Sequence, residues 1–304
     1  MSKILVFGAG SNAEVFTEYV KAKTNHQIVG YIDNSDKTSE KNPGGGWNIT
    51  LPSEIRNFEY DKIVVTVSSQ TARDDIRNQL VELRVPLQKC IFLAEDEELK
   101  TKVFSFYNRY SESDYRVNWV KSYSKYIYSE NIKGNVAECG VNMGHFAYYI
   151  NKFFYDRQCY LFDTFQGFPH EDLKEERQLW DEVREDGRLN FEDMFLNTNV
   201  DIVKSRLENQ KLCRFFVGYF PESALNVEDE FCFVNLDMDL YRPMFEGLKF
   251  FYPKMTRGGV ILLHDYFSSE WPGTHKAVKD FEEYLGKSLH KFPIGDYCSI
   301  AIVR

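Results

Sequence analysis

The sequence lacks the features that mark several common protein classes. Its six cysteines lie far apart and form no Cys-x-x-Cys pair, so neither a zinc finger nor a disulfide framework is expected. Basic residues are outnumbered, 37 Lys and Arg against 46 Asp and Glu, and the net charge of −9 argues against a nucleic-acid partner. No apolar run approaches the roughly 20 residues of a membrane span, and the start Met-Ser-Lys lacks a signal-peptide pattern. We therefore expect a cytoplasmic protein with no membrane or nucleic-acid partner.

The chain is long enough, and apolar enough, for more than one core. It has 304 residues, of which 43% are hydrophobic, and a single hydrophobic core rarely extends beyond about 250–300 residues. Residues 94–102 are acidic and polar and separate two regions with apolar patterning. These features predict two domains, residues 1–98 and 99–304.

The first predicted domain carries a glycine loop between two strands. An apolar run at residues 3–7 precedes Gly8-Ala-Gly-Ser-Asn-Ala13, and a second strand ends at Asp33. This order is the dinucleotide-binding fingerprint, with alanine in the third position. It predicts a small Rossmann-like α/β domain, whose further strands are expected at residues 62–67 and 90–93.

This segment resembles the N-terminal domains of bacterial sugar acyltransferases, which implies a nucleotide-sugar or docking role. A structural or dimerising domain with an empty nucleotide fold is the alternative. An NAD(P)-dependent sugar oxidoreductase would need a catalytic tyrosine and lysine beside the nicotinamide. Tyr19 and Lys23 have the right spacing, but they fall on the helix directly after the glycine loop.

A second glycine loop lies in the middle of the chain. A short apolar run contains Glu138, a loop with Gly140 and Gly144 follows, and a strand after the next helical stretch ends at Asp163. Glycines let the backbone approach a ligand that a Cβ would push away. An acid at the end of the second strand can accept hydrogen bonds from both hydroxyls of a ribose. This βαβ unit predicts nucleotide binding.

Two further predicted strands end in acidic residues. A fully apolar run is followed by Asp237 and Asp239, and the next strand along the chain is followed by His264 and Asp265. Parallel strands end at one edge of a sheet, so these side chains are expected close to the acids of the βαβ unit. Clustered carboxylates repel one another unless one is protonated or a cation lies between them. Oxygen ligands with one imidazole suit Mg²⁺ or Mn²⁺.

A charged tract occupies residues 170–193, after the strand that ends at Asp163. Loops of this length inside a compact domain are usually functional or disordered. Open α/β sheets bind their ligands at the carboxyl ends of their strands. The tract is therefore predicted to form part of a substrate lid, with a solvated surface insertion as the alternative.

Five motifs occur in the order and at the spacing of one enzyme family. They are IKGNVAECGV at 132–141, FDTFQGFP at 162–169, NLDMDLY at 235–241, YPKMTRGG at 252–259 and GTHKAVKDF at 273–281. Together they resemble the macrocin O-methyltransferase (TylF/MycF) family, whose members are metal-dependent sugar O-methyltransferases that use S-adenosylmethionine. The resemblance runs from residue 132 to the end of the chain and leaves the first domain outside it.

The resemblance implies a fold and a cofactor site. The fold is α/β, with a class I methyltransferase Rossmann-like sheet of seven strands, one of them antiparallel, preceded by the small Rossmann-like domain. Glu138, Gly140 and Gly144 are implied to line the methionine end of S-adenosylmethionine, and Asp163 to hold its ribose.

It also implies the catalytic residues. Asp237 is implied as a metal ligand and possible general base, and Asp265 as a second metal ligand. The family usually has a pair of acids where this chain has His264 and Asp265, so His264 is expected either to bind the cation or to act as the base. Asp239 is expected to orient the substrate or to support the ligands.

The favoured function is divalent-metal-dependent transfer of a methyl group from S-adenosylmethionine to a sugar hydroxyl. The sugar is expected to be nucleotide-linked, or to belong to surface-polysaccharide or natural-product biosynthesis, and a homo-oligomer is the default expectation. Two alternatives remain open: an NAD(P)-dependent sugar oxidoreductase that uses the first domain, and a non-catalytic scaffold that keeps a bound cofactor.

Overall fold

The computed structural model describes residues 1–35, 47, 49–181 and 194–304. The chain forms two compact units, Met1–Asn108 and Arg109–Arg304. The boundary therefore lies after Asn108 rather than after residue 98, where the composition changes. The reason is that helix Glu97–Phe106 packs on the first unit, where the ring of Phe106 meets the edge of Tyr19 at 6.1 Å between centroids.

The first unit is a parallel sheet with helices. Its described elements are β1 (Lys3–Phe7), α1 (Ser11–Lys23), β2 (Gln27–Ile32), β3 (Ile49–Thr50), β4 (Lys62–Val65), α2 (Gln70–Glu82), β5 (Cys90–Phe92) and α3 (Glu97–Phe106). The strand order is β3-β2-β1-β4-β5, which confirms a small Rossmann-like domain. The two-residue strand β3 was not predicted, because two residues are too few to show an alternating pattern.

The second unit contains a larger sheet. Its described elements are α4 (Tyr115–Ser129), β6 (Asn135–Cys139), α5 (His145–Phe153), β7 (Cys159–Asp163), α6 (His170–Asp181), α7 (Val200–Arg206), β8 (Cys213–Val217), β9 (Phe231–Leu236), α8 (Tyr241–Phe251), β10 (Met255–Leu263), α9 (Pro272–Leu285), β11 (His290–Pro293) and β12 (Ile300–Val303). Short 3-10 helices lie at Pro52–Asn57, Leu87–Lys89, Gln210–Leu212, Glu222–Ala224 and Tyr252–Lys254.

The seven strands have the order β11-β12-β10-β9-β6-β7-β8. Strands β8, β7, β6, β9 and β10 are parallel, and β12 is antiparallel to both of its neighbours. This arrangement confirms the predicted class I methyltransferase fold with an antiparallel member. All six residues of β9 are buried, as expected for a central strand covered on both faces.

Aromatic side chains fill much of the core of the second unit. Phe162, Phe220, Phe231 and Phe251 are buried and touch one another at ring-centroid distances of 5.2–5.9 Å. Each fully buried phenylalanine stabilises the fold by about 1.5–3 kcal/mol. This core holds the strands that carry the predicted acids in a fixed register.

The register brings the strand ends to one level. Leu236 of β9 pairs with Cys139 on one side and with Leu263 on the other. Gly140, Asp237 and His264 each follow one of these three residues directly, so they leave the sheet side by side. Sequence patterning could anticipate this result, because parallel strands of similar length start and end together.

The charged tract begins with a helix. This helix, α6, packs against α8 and α9. The rest of the predicted lid, residues 182–193, lies outside the described residues. Within the described ranges, no helix has both the length and the apolar character needed to cross a bilayer.

Candidate active site

A cavity of about 360 Å³ opens at the carboxyl ends of the parallel strands of the second unit. Six of the seven predicted site residues line it: Glu138, Gly140, Asp163, Asp237, His264 and Asp265. The structure thus brings together residues that are as much as 127 positions apart in the chain, Glu138 and Asp265 being the outermost.

Glu138 is buried at the end of β6, with one carboxylate oxygen satisfied and one free. Oε1 accepts a hydrogen bond from Asn235 Nδ2 at 3.0 Å, whereas Oε2 has no hydrogen-bond partner within the described chain. Burial raises the pKa of Glu138 well above its ordinary value, the charge of Asp237 adds to this, and Arg116 opposes it. A cationic ligand group at Oε2 would satisfy the free oxygen and stabilise the carboxylate.

The glycines of the loop after β6 are required by packing. Gly140 has φ +83°, and a Cβ there would lie 1.8 Å from the carbonyl oxygen of Asp237. Gly144 begins α5 with φ +74°, and a Cβ there would meet Val203 of α7 at 2.8 Å. From the sequence, both glycines were predicted to let the backbone approach a ligand. Gly140 does line the cavity, but Gly144 is buried against α7 and is not among the lining residues.

Asp163 joins the glycine loop to the end of β7. Its Oδ2 accepts a hydrogen bond from the backbone N–H of Asn142 and its Oδ1 from that of Phe165, both at 2.7 Å. Burial raises the pKa of Asp163, and the backbone donors partly offset the increase. Each oxygen keeps lone-pair capacity for one further donor, such as a ribose hydroxyl.

Three carboxylates meet at the ends of β9 and β10. Asp237, Asp239 and Asp265 each offer an oxygen within 4.8 Å of the other two. Asp239 and Asp265 have φ near +60°, a left-handed conformation that costs about 1–3 kcal/mol in a residue other than glycine and that clusters at functional sites. Burial, followed by the charges of Asp237 and Asp265, raises the pKa of Asp239 well above its ordinary value.

His264 lies between two of these carboxylates. Its Nδ1 is 2.8 Å from Asp265 Oδ2 and 3.1 Å from Asp237 Oδ1. Burial and the charge of Arg116 lower the pKa of His264, but the two carboxylates outweigh them and raise it far above its ordinary value. The imidazole is therefore charged beside the ionised acids, where it offsets their repulsion.

Arg116 of α4 completes the cluster and was not predicted. Its Nη2 donates to Asp237 Oδ2 at 2.9 Å and to Asn235 Oδ1 at 2.7 Å, and its guanidinium lies 4.1 Å from the ring centre of Phe146. Burial alone would raise the pKa of Asp237, but His264 and Arg116 lower it well below its ordinary value. The available signal was an arginine at a core position of an amphipathic helix, since Val117 and Val120 are buried with it.

Three further residues near the cavity were not predicted. Cys298 Sγ lies 3.2 Å from Asp265 Oδ1, and with His264 it forms a second group of possible metal ligands. Glu176 of α6 is buried and accepts hydrogen bonds from the backbone N–H groups of Tyr241 and Gly273, both at 2.8 Å. The third residue, Asp172, also lies on α6 and lines the cavity.

The donor atoms at the cavity fit a hard divalent cation at one position and an amino group at another. Three clustered carboxylates provide the oxygen ligands that Mg²⁺ and Mn²⁺ prefer. The free Oε2 of Glu138 provides a buried acceptor for an ammonium group. The single imidazole of His264 and the thiol of Cys298 are softer donors at the margin of the carboxylate cluster.

Two family models match this chain. The C2185-like N-terminal model matches residues 1–91, and the macrocin-O-methyltransferase (TylF) model matches residues 113–291. The chain belongs to the macrocin-O-methyltransferase (TylF) family. The resemblance inferred from the five motifs is thereby confirmed, and the match in this TylF-family chain also includes α4, which carries Arg116.

Similar proteins include several methyltransferases. A demethyldecarbamoylnovobiocin O-methyltransferase from Streptomyces niveus is 25% identical over 180 residues, which are 56% of this TylF-family chain and 63% of the relative. The chain thus spans less than two thirds of that relative's length. The O-methyltransferase NovP matches at 22% identity with a TM-score of 0.49, over 62% of this chain and 79% of NovP. The calicheamicin methyltransferase CalS11 matches at 19% identity with a TM-score of 0.49, over 78% and 94% of the two chains.

Proposed function

We propose that this chain transfers a methyl group from S-adenosylmethionine to a hydroxyl group of a sugar. The observation that carries the proposal is the order of acidic groups along the sheet edge. Asp163 at the end of β7 would bind the ribose, and Glu138 on β6 would bind the amino group of the methionine part. Asp237 and Asp265, after β9 and β10, would then hold the acceptor hydroxyl beside the sulfonium that links these two parts. Membership of an O-methyltransferase family supports the same reaction.

The cofactor residues are those of the glycine-loop unit. Asp163 accepts hydrogen bonds from the ribose, and Glu138 Oε2 accepts one from the ammonium group of the methionine part. Gly140 lets the loop turn close beneath them. When bound, S-adenosylmethionine supplies a methyl group already activated by a sulfonium, so the remaining chemical task is to increase the nucleophilicity of the acceptor oxygen.

We assign the cation to Asp237 and Asp265, with Asp239 as the third carboxylate. A divalent cation, Mg²⁺ or Mn²⁺, would lower the pKa of a hydroxyl in contact with it. His264 is 3.1 Å from Asp237 Oδ1, and a cation on the carboxylates would offset the negative charge that raises the pKa of His264. The imidazole would then be neutral, and we propose that it accepts the proton of the sugar hydroxyl, which gives His264 the role of base rather than of metal ligand.

Arg116 positions Asp237 beside the proposed base, His264. Its guanidinium fixes Oδ2 at 2.9 Å and leaves Oδ1 facing His264. The bond from Arg116 to Asn235 also holds the amide whose Nδ2 donates to Glu138. One arginine thus connects the proposed ammonium acceptor with the proposed base.

We propose that the acceptor sugar is nucleotide-linked, or belongs to surface-polysaccharide or natural-product biosynthesis. The test is an incubation of the protein with S-adenosylmethionine and a panel of nucleotide sugars, with Mg²⁺, with Mn²⁺ or with a chelator. Mass spectrometry would detect a sugar that gains one methyl group together with S-adenosylhomocysteine.

Variants locate the chemistry within the cluster. Asp237→Asn is expected to abolish transfer, whereas Glu112→Gln, at a surface carboxylate that pairs with Lys121 and Lys152, is the control and should retain it. Binding of S-adenosylmethionine without transfer to any sugar under any metal condition would contradict the proposal and favour a scaffold.

A further inference from the structure

Asp172 is a buried acid with an unused acceptor atom at the cavity. Its residue surface is 2% exposed, and it lines the cavity. Oδ1 accepts a hydrogen bond from the hydroxyl of Tyr219 at 3.0 Å and lies 3.8 Å from Arg242 Nη1. Oδ2 is buried and has no hydrogen-bond partner in the described structure. Leaving such an oxygen unpaired costs about 1–3 kcal/mol, and more if it is charged.

The position of Asp172 follows from the sheet. Gly218, directly after β8, donates its backbone N–H to the carbonyl oxygen of Asp163 at 3.0 Å. Tyr219 is the next residue, and its hydroxyl reaches Asp172. Asp172 therefore lies between Tyr219, which follows β8, and Arg242 at the start of α8.

This placement extends the set of acceptors by one group. Besides Asp163, Glu138 and the cluster of Asp237, the cavity has a fourth acidic group, Asp172, on the side of Tyr219. A ligand with its ribose at Asp163 and its amino group at Glu138 has its purine on the remaining side, next to Asp172. Apolar lining from Phe168, Phe220 and Pro243 suits the faces of a flat ring.

We propose that Asp172 Oδ2 accepts a hydrogen bond from the exocyclic amino group of the cofactor's adenine, which makes Asp172 a specificity-determining residue. This inference rests on the proposed function, because it takes S-adenosylmethionine as the occupant of the cavity. An amino group satisfies the free oxygen, whereas the carbonyl oxygen of a hypoxanthine ring would face it as a second acceptor. The site should therefore distinguish adenine from hypoxanthine.

The test compares two ligands by calorimetry: S-adenosylhomocysteine and S-inosylhomocysteine. Wild-type protein is expected to bind the adenine ligand at least about tenfold more tightly. In Asp172→Asn the amide can donate, so affinity for the adenine ligand should fall and the preference should shrink by at least about tenfold or reverse. Glu175→Gln, an exposed carboxylate on the same helix, is the matched control and should leave both affinities unchanged.

The outcomes separate this inference from the function on which it rests. Equal binding of the two ligands by wild-type protein would overturn the role of Asp172, and this comparison needs no variant to fold. A folded Asp172→Asn variant with an unchanged preference would overturn it as well. If wild-type protein binds neither ligand, the proposed methyltransferase function fails together with this inference.

Discussion

In each unit of this chain, an acid at the end of the second parallel strand holds the glycine loop that follows the first. Asp33 Oδ2 accepts the backbone N–H of Ala9 at 2.7 Å, and Asp163 Oδ2 accepts that of Asn142 at the same distance. The other oxygen of each acid accepts the N–H of the residue two positions later, Ser35 or Phe165, at 2.8 and 2.7 Å. The arrangement therefore stabilises the fold whether or not a nucleotide binds.

The two units differ in what surrounds the loop. In the second unit the loop borders the cavity, where Glu138 Oε2, Asn142 Oδ1 and Asp172 Oδ2 are buried and have no hydrogen-bond partner among the described residues. Within the described part of the first unit, one buried side-chain atom has no hydrogen-bond partner, the hydroxyl oxygen Oγ1 of Thr50. A glycine loop with a strand-end acid thus indicates a fold, and unsatisfied buried acceptors around a cavity indicate a ligand. Matched changes in the two units test this distinction.

The largest effect is expected at the loop glycines. Gly140→Ala forces a Cβ to 1.8 Å from a backbone oxygen at φ +83°, and the combined conformational and steric cost is roughly 4 kcal/mol or more. Gly10→Ala, at a negative φ and with no atom within 4 Å, should change the free energy of unfolding by about 1 kcal/mol or less. Urea denaturation measures both, and equal losses would contradict the packing argument.

Buried arginines give the next comparison. Arg116→Met leaves Asp237 without its guanidinium partner and is expected to cost about 3–5 kcal/mol of stability together with methyl transfer. Arg73 in the first unit pairs with Glu95 and the carbonyl oxygen of Ser68. Arg73→Met should cost about 1–3 kcal/mol and leave transfer unchanged. Transfer that survives Arg116→Met in folded protein would remove Arg116 from the site.

Helix caps provide a smaller contrast. Glu176 satisfies backbone donors at the start of both α8 and α9, so Glu176→Ala should cost about 2–3 kcal/mol. Ser69 accepts one N–H at the start of α2, and Ser69→Ala should cost about 1 kcal/mol. Thermal or urea denaturation compares them. A loss for Glu176→Ala no larger than that for Ser69→Ala would show that α6 is not anchored through this carboxylate.

The smallest effect concerns acid stability. Burial, with added repulsion from Arg206 and Arg109, lowers the pKa of His145 from 6.5 to about 3. Below pH 6.5 the unfolded chain therefore binds a proton that the folded chain does not, and stability falls as the pH decreases, by at most about 1.4 kcal/mol per pH unit. His145→Asn should flatten the dependence of urea midpoints between pH 7 and 5. The exposed His26→Asn control in the first unit should leave it unchanged.

Most of the sheet could be predicted from the sequence because strand patterning is local. The sequence predicted that four acids at strand ends lie at one edge of the sheet. They are Glu138, Asp163, Asp237 and Asp265, at the ends of β6, β7, β9 and β10. The parallel register then required little more than strands of similar length. Gly140 was also predicted at the cavity. Glycine is required there because a side chain would collide with the backbone of Asp237, not because a ligand approaches.

The unpredicted residues all depend on long-range contacts. Arg116 meets Asp237 across 121 positions, and Glu176 meets Gly273 across 97. In the sequence, Arg116 is one of several charged residues near a helix start, and Asp172 and Glu176 are acids within a charged tract. Only tertiary packing distinguishes the two buried acids from their exposed neighbours, so periodicity and composition could not identify them.

The most direct test is calorimetric titration of three proteins: wild type, Asp163→Ala and Asp33→Ala. Each protein is titrated with S-adenosylmethionine, with and without Mg²⁺, and separately with NADH. The account predicts equal affinity for wild-type protein and Asp33→Ala, a loss of about 10- to 100-fold or more in Asp163→Ala, and no binding of NADH. Binding of NADH that depends on Asp33, with S-adenosylmethionine binding absent or indifferent to Asp163, would contradict it and assign the chemistry to the first unit.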